Sequence, residues 1–229
     1  MINNLLLPKV HLSWTQLDTW NTNRERYIRE TFFGGKKLDT KFLRFGKGIA
    51  DLMEQIAKDL DLLTDKMWMM DNFSIDIDSY EGQEFISNLR FYDTPEHEIR
   101  CEVAGIPCLS YLDSWNSQTM NFREYKTGKI PWTQSKVQKH DQLVFYATML
   151  KWSTGKMPEY CDLDWIETRE SKEEASDFWR EGAKIISVTG RIISFHREFD
   201  EREIERMEQL IIRTATEISE AYTNHINSI

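Results

Sequence analysis

Three charged side chains, Asp113, Glu124 and Lys126, have the types and spacing of a metal-dependent hydrolytic site. Two carboxylates, together with the backbone carbonyl of Tyr125, offer the oxygen ligands that Mg²⁺ and Mn²⁺ prefer. A bound cation acts as a Lewis acid and makes its water more acidic. An ammonium group beside it can hold an attacking water or neutralise charge that builds on a phosphate. Asp113, Glu124 and Lys126 are therefore candidate catalytic residues, and the two carboxylates with the Tyr125 carbonyl are candidate metal ligands.

These side chains can meet only if two strands bring them together. The polar residues 116–119 predict a turn between two alternating strands. A symmetric turn places Asp113 opposite Phe122, and Glu124 is then the same-face diagonal neighbour of Asp113, about 7–8 Å away. Lys126 projects from the same face as Glu124 because it lies two residues further on. A salt bridge at a strand edge is the alternative for so short and common a pattern.

A helix predicted over 134–152 follows these strands and carries further candidates. Gln142 and Tyr146 are four residues apart, and Lys139 lies one turn earlier on nearly the same stripe. An amide, a phenol and an ammonium suit contacts to DNA phosphates or bases near a metal. A half-exposed helix face is the alternative, and His140 is interpreted as a histidine at the edge of the core.

Taken together, these segments resemble the RecB-like branch of the PD-(D/E)XK nuclease superfamily, which includes phage-type exonucleases. Residues 112–113 and 124–129 match its central D…(D/E)-x-K-T-G element, and 141–147 match its Q-L-x-x-Y-A helix. Residues 12–17 resemble the opening L-S-x-S-x-L segment, and 46–54 resemble the G-x-x-x-H-x-x-x-E helix. The resemblance thus extends over most of the chain.

The resemblance implies a deoxyribonuclease that depends on Mg²⁺ or Mn²⁺ and hydrolyses phosphodiester bonds, specifically an exonuclease of phage or bacterial DNA recombination or repair. Its partner would be DNA, as linear ends or single strands. The resemblance leaves open whether the enzyme acts as an exonuclease or an endonuclease and in which direction it digests a strand. It also leaves open the preference for single-stranded DNA, duplex DNA or RNA. A homo-oligomer or a recombination partner protein is also left open.

One departure concerns the helical metal ligand. The histidine expected in the second segment is Ala50 here, whereas Glu54 is kept and Asp51 is adjacent. Glu54 is therefore a further candidate metal ligand, and water or Asp51 are alternatives. A module of the same fold without catalysis, which binds DNA or a protein partner, is the alternative function.

Cysteines define a second departure. Members of the family with an iron–sulfur cluster carry one early cysteine and three late ones, but residues 21–26 contain none and no late triplet follows. We expect no iron–sulfur cluster. Cys101, Cys108 and Cys161 lack C-x-x-C spacing and are interpreted as free thiols.

Bulk properties limit the other classes. Apolar residues make up 40% of 229, enough for a packed core, and no apolar run approaches a membrane span. We expect a cytoplasmic protein of a bacterial cell, with a phage genome as an alternative source. The net charge of −9 disfavours binding of nucleic acid in general but does not exclude a local basic surface.

The spacing of the histidines does not support a zinc site, and residues 127–129 lack the glycine spacing of an ATP-binding loop. Among the tryptophans Trp14, Trp20, Trp115 and Trp132, at most one is expected to stack on an unpaired base.

The order of elements predicts the fold class. Helices come first, then an antiparallel meander, a helix, further strands and a terminal helix capped by Asp200. This order predicts an α/β chain (an α+β sandwich) with a central mixed sheet flanked by helices, restriction-endonuclease-like. We expect one domain over 1–229, with a helical N-terminal region over 1–95, a sheet and helix over 96–199 and a helix over 200–229. The predicted helices are 13–31, 45–63, 80–89 and 134–152, and the strands are 99–103, 108–115, 120–126, 160–168 and one or two over 185–199.

Overall fold

The computed structural model describes residues 5–37, 39–170 and 186–228, with the side chains of residues 41 and 42 outside that description. The helices and strands follow the predicted order along the chain. One helix, α4, was not predicted. The helices are α1 (Trp14–Thr22), α2 (Arg24–Thr31), α3 (Lys41–Lys58), α4 (Lys66–Phe73), α5 (Tyr80–Asn88), α6 (Gln134–Gln138), α7 (Asp141–Thr154) and α8 (Glu201–Asn227), and Leu60–Leu63 form a 3₁₀ turn. The strands are β1 (Thr94–Val103), β2 (Ile106–Trp115), β3 (Phe122–Gly128), β4 (Tyr160–Glu170) and β5 (Ile186–Glu198).

The five strands form one mixed sheet in the order β1-β2-β3-β4-β5. Strands β1 to β3 are the predicted antiparallel meander, β3 and β4 are parallel, and β4 and β5 are antiparallel. The parallel pair needs a crossover, which α6 and α7 provide. The predicted fold class, a restriction-endonuclease-like α+β arrangement, is confirmed. The single domain stays a prediction.

Two apolar cores lie on opposite faces of the sheet, because odd and even residues of a strand point to opposite sides. Phe122 packs in the core that α1, α7 and α8 cover, and Tyr125 packs in the core that α3, α4 and α5 cover. Apolar stripes on α3 and α8 account for much of this burial. Their buried members are Ile49, Leu52, Met53 and Ile56 on α3, and Ile204, Met207, Ile211 and Ile218 on α8. None of the described helices is long and apolar enough to cross a bilayer.

The helix predicted over 13–31 is two helices. Asn23 has φ −152° and ψ 77°, outside the helical region, and its side chain accepts a hydrogen bond from the Arg26 amide at 3.0 Å. Asn23 therefore ends α1 and caps α2. Ser13 caps α1 and accepts from the Gln16 amide at 3.4 Å, and the Gln16 side chain donates to the Ser13 hydroxyl at 3.3 Å.

The helix predicted over 134–152 is also divided. Helix α6 ends at Gln138, and α7 begins at Asp141 after Lys139 and His140. Strand β5 is a single strand, and residue 185, where it was predicted to begin, lies outside the described residues. Gly190 has φ 91° in β5, and a Cβ there would lie 2.3 Å from the Glu81 carbonyl oxygen, so only glycine allows β5 to pass α5 so closely.

A buried ion pair holds β3 to β4 on the face that α3 covers. The Arg123 guanidinium donates to both carboxylate oxygens of Asp164 at 2.7 and 2.8 Å, and to Oδ2 of Asp162 at 2.8 Å. Arg123 and Asp164 are both buried. This ion pair crosses from β3 to β4 beside their parallel ladder, and removal of either partner would leave an unpaired buried charge.

Candidate active site

The candidate site forms where β2 and β3 separate. Trp115 pairs with Phe122 and Ser114 pairs with Arg123, and the paired register ends there. The prediction that Asp113 lies opposite Phe122 is therefore wrong by two residues.

The connecting loop explains this difference. The Asn116 amide donates to the Asn121 carbonyl at 2.8 Å, and Met120 has φ 64°, so the loop extends to residue 121 and β3 begins at Phe122 instead of residue 120. A longer loop moves every partner on β3 by two positions. As a result, Asp113 and Glu124 are the next residues beyond the last pair on their two strands, so they lie level with each other and not on a diagonal.

The Asp113 carboxylate lies at this separation point. Its Oδ2 accepts a hydrogen bond from the Tyr125 amide at 2.7 Å, in the place of a backbone ladder partner. Burial, followed by the negative charge of Glu124, raises the pKa of Asp113 well above its ordinary value, although the Tyr125 amide and the Lys126 charge act in the opposite direction. The site thus concentrates negative charge that a cation would neutralise.

Glu124 supplies the second carboxylate and is 3% exposed. Its Oε1 accepts from the Lys126 ammonium at 2.6 Å, whereas its Oε2 is buried without a hydrogen-bond partner among the residues that the structure describes. An unpartnered buried acceptor costs about 1–3 kcal/mol, and more when it is charged. The Oε2 atom of Glu124 is therefore free to bind a cation, and the hard oxygen donors of Asp113 and Glu124 fit Mg²⁺ or Mn²⁺.

Lys126 is held as an ammonium by two acceptors. It donates to Glu124 and also to Oε1 of Gln142 at 2.9 Å. Burial by itself lowers the pKa of Lys126, but the charge and hydrogen bond of Glu124 and the charge of Asp113 outweigh burial, so the net pKa is raised. A protonated Lys126 can orient water or stabilise an anionic phosphate oxygen.

Behind Lys126, three side chains of the α7 region fix its position. Gln142 accepts from Lys126, its Nε2 donates to the Tyr146 hydroxyl at 2.6 Å, and its Oε1 lies 3.1 Å from His140 Nε2. Burial first, and then the Lys126 charge, lowers the pKa of His140 to about 4. His140 is therefore neutral near pH 7, and the acceptor on Gln142 assigns the proton to Nε2.

The residues predicted to contact DNA occupy different environments. Tyr146 is 7% exposed and its ring packs edge-on against Phe122, with centroids 5.9 Å apart. Burial and the Glu124 charge raise the pKa of Tyr146 well above its ordinary value. Gln142 is half-buried, and Lys139 is exposed between α6 and α7. Their contact with DNA stays a prediction, and the structure adds that Gln142 and Tyr146 support Lys126.

Glu96 is a candidate residue that the sequence analysis missed. It lies in β1 between Pro95, which pairs with Ser114, and His97, which pairs with Leu112, so it is level with Asp113. Its φ of 48° lies in the left-handed region, which a glutamate rarely adopts. Burial, followed by the charges of Glu54, Asp51 and Glu124, raises the pKa of Glu96. The sequence analysis missed Glu96 because it predicted this strand from residue 99, whereas β1 begins at Thr94.

Glu54 lies on α3 on the side of this acidic group. It is half-buried, pairs with Lys58 one turn later, and influences Glu96 electrostatically together with Asp51. Within the described residues, no group of three or more His, Cys, Asp or Glu side chains is close enough to hold a metal ion as it stands. The metal-binding role of Glu54 stays a prediction.

The three cysteines lie away from these carboxylates in sequence and are free thiols. Cys101 pairs with Cys108 across β1 and β2, and Cys161 is buried in β4. Burial raises the pKa of Cys101 to about 11 and that of Cys108 to about 12. Such thiols behave as small apolar side chains.

Comparison with known proteins relates the fold to exonucleases. No protein-family model matches the chain, and neither does any curated protein. The structure of a phage-related exonuclease from Haemophilus somnus 129PT is similar with a TM-score of 0.50 and 14% identity, over 91% of this chain and 84% of that one. An alkaline exonuclease from Laribacter hongkongensis has a TM-score of 0.49 and 13% identity, over 96% of this chain and 93% of that one. At this identity the likeness concerns the fold alone, and it agrees with the restriction-endonuclease-like fold that the sequence predicted.

Proposed function

We propose that this chain is a metal-dependent DNA nuclease that hydrolyses phosphodiester bonds, and specifically an exonuclease of phage or bacterial recombination or repair. The observation that carries the proposal is the unpartnered Oε2 of Glu124 beside Asp113, with the Lys126 ammonium hydrogen-bonded to the same carboxylate. Two carboxylates and an adjacent ammonium provide both a cation site and a positive group for a phosphate.

Asp113, Glu124 and the Tyr125 carbonyl would hold Mg²⁺ or Mn²⁺, and Glu96 is the nearest further carboxylate along the sheet. When bound, the cation would supply Lewis acidity and a more acidic water. Glu54 would join only if its side chain left Lys58. Because the donors are carboxylate and carbonyl oxygens, the proposal favours Mg²⁺ and Mn²⁺ over softer metals.

Lys126 and Gln142 would act on the attacking water and on the scissile phosphate. Lys126 would hold the attacking water through its free N–H or neutralise a phosphate oxygen. Gln142 would keep the ammonium aimed at the site, because its amide is itself held by Tyr146 and His140. Lys126 is thus held by Glu124 and by Gln142. These contacts keep the ammonium in one position, which a long flexible side chain would not hold by itself.

The test measures nucleotide release from end-labelled linear DNA and from circular DNA with Mn²⁺. We expect wild type to degrade linear DNA and to spare circles, and Lys126→Ala to lose at least about 100-fold in rate. Lys156→Ala, at an exposed lysine beyond the far end of α7, is the matched control and should retain activity. Equal activity of wild type and Lys126→Ala would sink the assignment, and cutting of circles would make the enzyme an endonuclease.

A second candidate, a module of this fold without catalysis, is favoured by Ala50 and by the lack of a third close ligand among the residues that the structure describes. It would bind DNA or a protein partner. Calorimetric titration with Mn²⁺ separates the two candidates. Binding that disappears in Asp113→Asn supports the nuclease, and absence of Asp113-dependent binding supports the inert module.

A further inference from the structure

The segment that joins β3 to α7 has a charge opposite to that of the whole chain. Residues 125–140 contain four lysines and no aspartate or glutamate, in a chain of net charge −9. The segment begins directly after Glu124 on β3. Lys126 is paired with Glu124 and Lys129 with Glu170, so the positive charge that this segment offers to a ligand rests on the exposed Lys136 and Lys139. A polyanion that approaches the acidic centre would need such positive charge beside it.

This segment also exposes apolar side chains. Ile130 is 83% exposed and Trp132 is half-buried, in the loop between β3 and α6. The Trp132 ring lies against the His140 ring, with centroids 4.8 Å apart and planes at 69°. His140 contacts Gln142, which accepts from Lys126. Trp132 is therefore separated from the candidate catalytic ammonium by only two intervening side chains.

The Lys136 ammonium lies 3.9 Å from the centroid of the Trp132 ring. The exposed Lys136 thus covers one face of the half-buried indole, and a cation is attracted to the electron-rich face of such a ring. A nucleic-acid base can stack on such a face. The displaced ammonium of Lys136 would then be free to pair with the phosphate of the same strand.

The other tryptophans that the sequence singled out lack this combination. Trp20 also has a cation over its ring, the Arg24 guanidinium 4.4 Å from the centroid, but it is buried and donates to Glu217 of α8. Trp14 packs against Phe145 in the core, and the Trp115 ring is stacked on His97 with centroids 3.8 Å apart. Only Trp132 among these four joins a cation over its ring to a position beside the site.

We infer that Ile130, Trp132 and Lys136 form a platform that binds an unpaired strand of DNA and leads it to the Asp113–Glu124 site. The base would stack on Trp132, and Lys136 and the exposed Lys139 would pair with phosphates. The flat face of a base in an intact duplex is covered by its neighbours, so stacking favours a single strand or a frayed end. The direction toward the site rests on the proposed function, whereas binding of the strand does not.

The test is fluorescence anisotropy with the full chain and a fluorescein-labelled oligothymidylate of about 15 nucleotides. EDTA is present, so hydrolysis cannot affect the reading. We expect Trp132→Ala to bind about tenfold more weakly than wild type. Trp152→Ala, at an exposed tryptophan on the last turn of α7, should bind as wild type.

A second variant guards against misfolding of Trp132→Ala, since Trp132 packs partly on the core. Ile130→Glu places a carboxylate on an exposed position of the platform and should weaken binding severalfold. Met67→Glu, at a residue 77% exposed on α4, makes the same change in charge elsewhere and should have no effect.

The outcomes separate the inference from the proposed function. Equal binding of wild type, Trp132→Ala and Ile130→Glu would overturn the platform, even if Mn²⁺-dependent hydrolysis is found. Weaker binding of both platform variants would support the platform, even if no hydrolysis is found. Tighter binding of a blunt duplex of the same length than of the single strand would also overturn it.

Discussion

The Asp113 carboxylate accepts a hydrogen bond from the Tyr125 backbone amide at 2.7 Å, so a side chain stands where the β2–β3 ladder would otherwise continue. The bond fixes the carboxylate and aligns the Tyr125 peptide in one contact. Two candidate metal ligands, the Asp113 carboxylate and the Tyr125 carbonyl, are therefore positioned relative to each other by this one hydrogen bond.

Asp113→Asn should remove activity and leave the fold intact. The asparagine Oδ1 can still accept from the Tyr125 amide, but it lacks the negative charge that a cation needs. We expect hydrolysis of linear DNA to fall at least about 100-fold, with an unchanged circular dichroism spectrum. Asp93→Asn is the matched control, because the exposed Asp93 caps the Ser117 amide in the same region. A similar loss in Asp93→Asn would contradict a specific role for Asp113.

Glu96→Gln should weaken metal binding. The change removes one negative charge from the acidic group and keeps the size of the side chain. We expect the Mn²⁺ dissociation constant, measured by calorimetry, to rise about tenfold or more. Glu102→Gln, at an exposed position near the other end of β1, should leave the constant unchanged. If Glu96→Gln binds Mn²⁺ as tightly as wild type, Glu96 is not part of the metal site.

Gln142→Leu should reduce kcat more than it changes KM. The leucine removes the acceptor that holds Lys126 and the donor that meets Tyr146. We expect kcat to fall about 10–100-fold, because the ammonium loses its fixed orientation. Gln138→Leu, on the exposed side of α6, serves as control. A rise in KM with kcat unchanged would show that Gln142 binds DNA directly, as the sequence predicted.

His140 should make stability depend on pH in the acid range. Its pKa in the folded chain is about 4, below the ordinary value of 6.5, so the unfolded chain binds more protons between these values. Stability is therefore lost as pH falls from about 6.5 toward 4, by at most about 1.4 kcal/mol per pH unit for one proton. His140→Gln keeps a donor for Gln142 and cannot titrate. Urea unfolding at several pH values should give a flatter profile for this variant, and identical profiles would contradict the assignment.

Local patterns in the sequence predicted the elements that position the site and the order of its residues. Asp113, Glu124, Lys126 and Gln142 were identified from residue types and spacing together with the resemblance to the family motifs. In the structure Lys126 donates to Glu124 and to Gln142, and Asp113 lies level with Glu124 one step beyond the last ladder pair. Capping by Asp200 fixed the start of α8, where Asp200 and Glu203 form a complete capping box. Such features depend on neighbours within one helical turn, which a sequence displays directly.

The register of β3 and the position of Glu96 beside Asp113 depend on tertiary contacts. A shift of two residues leaves every side chain of β3 on its own face, so alternation could not reveal that Phe122 pairs with Trp115. The loop hydrogen bond from Asn116 to Asn121 sets that register. Glu96 lies level with Asp113 because the β1–β2 pairing continues to Thr94 and Trp115, five residues beyond the predicted start of β1.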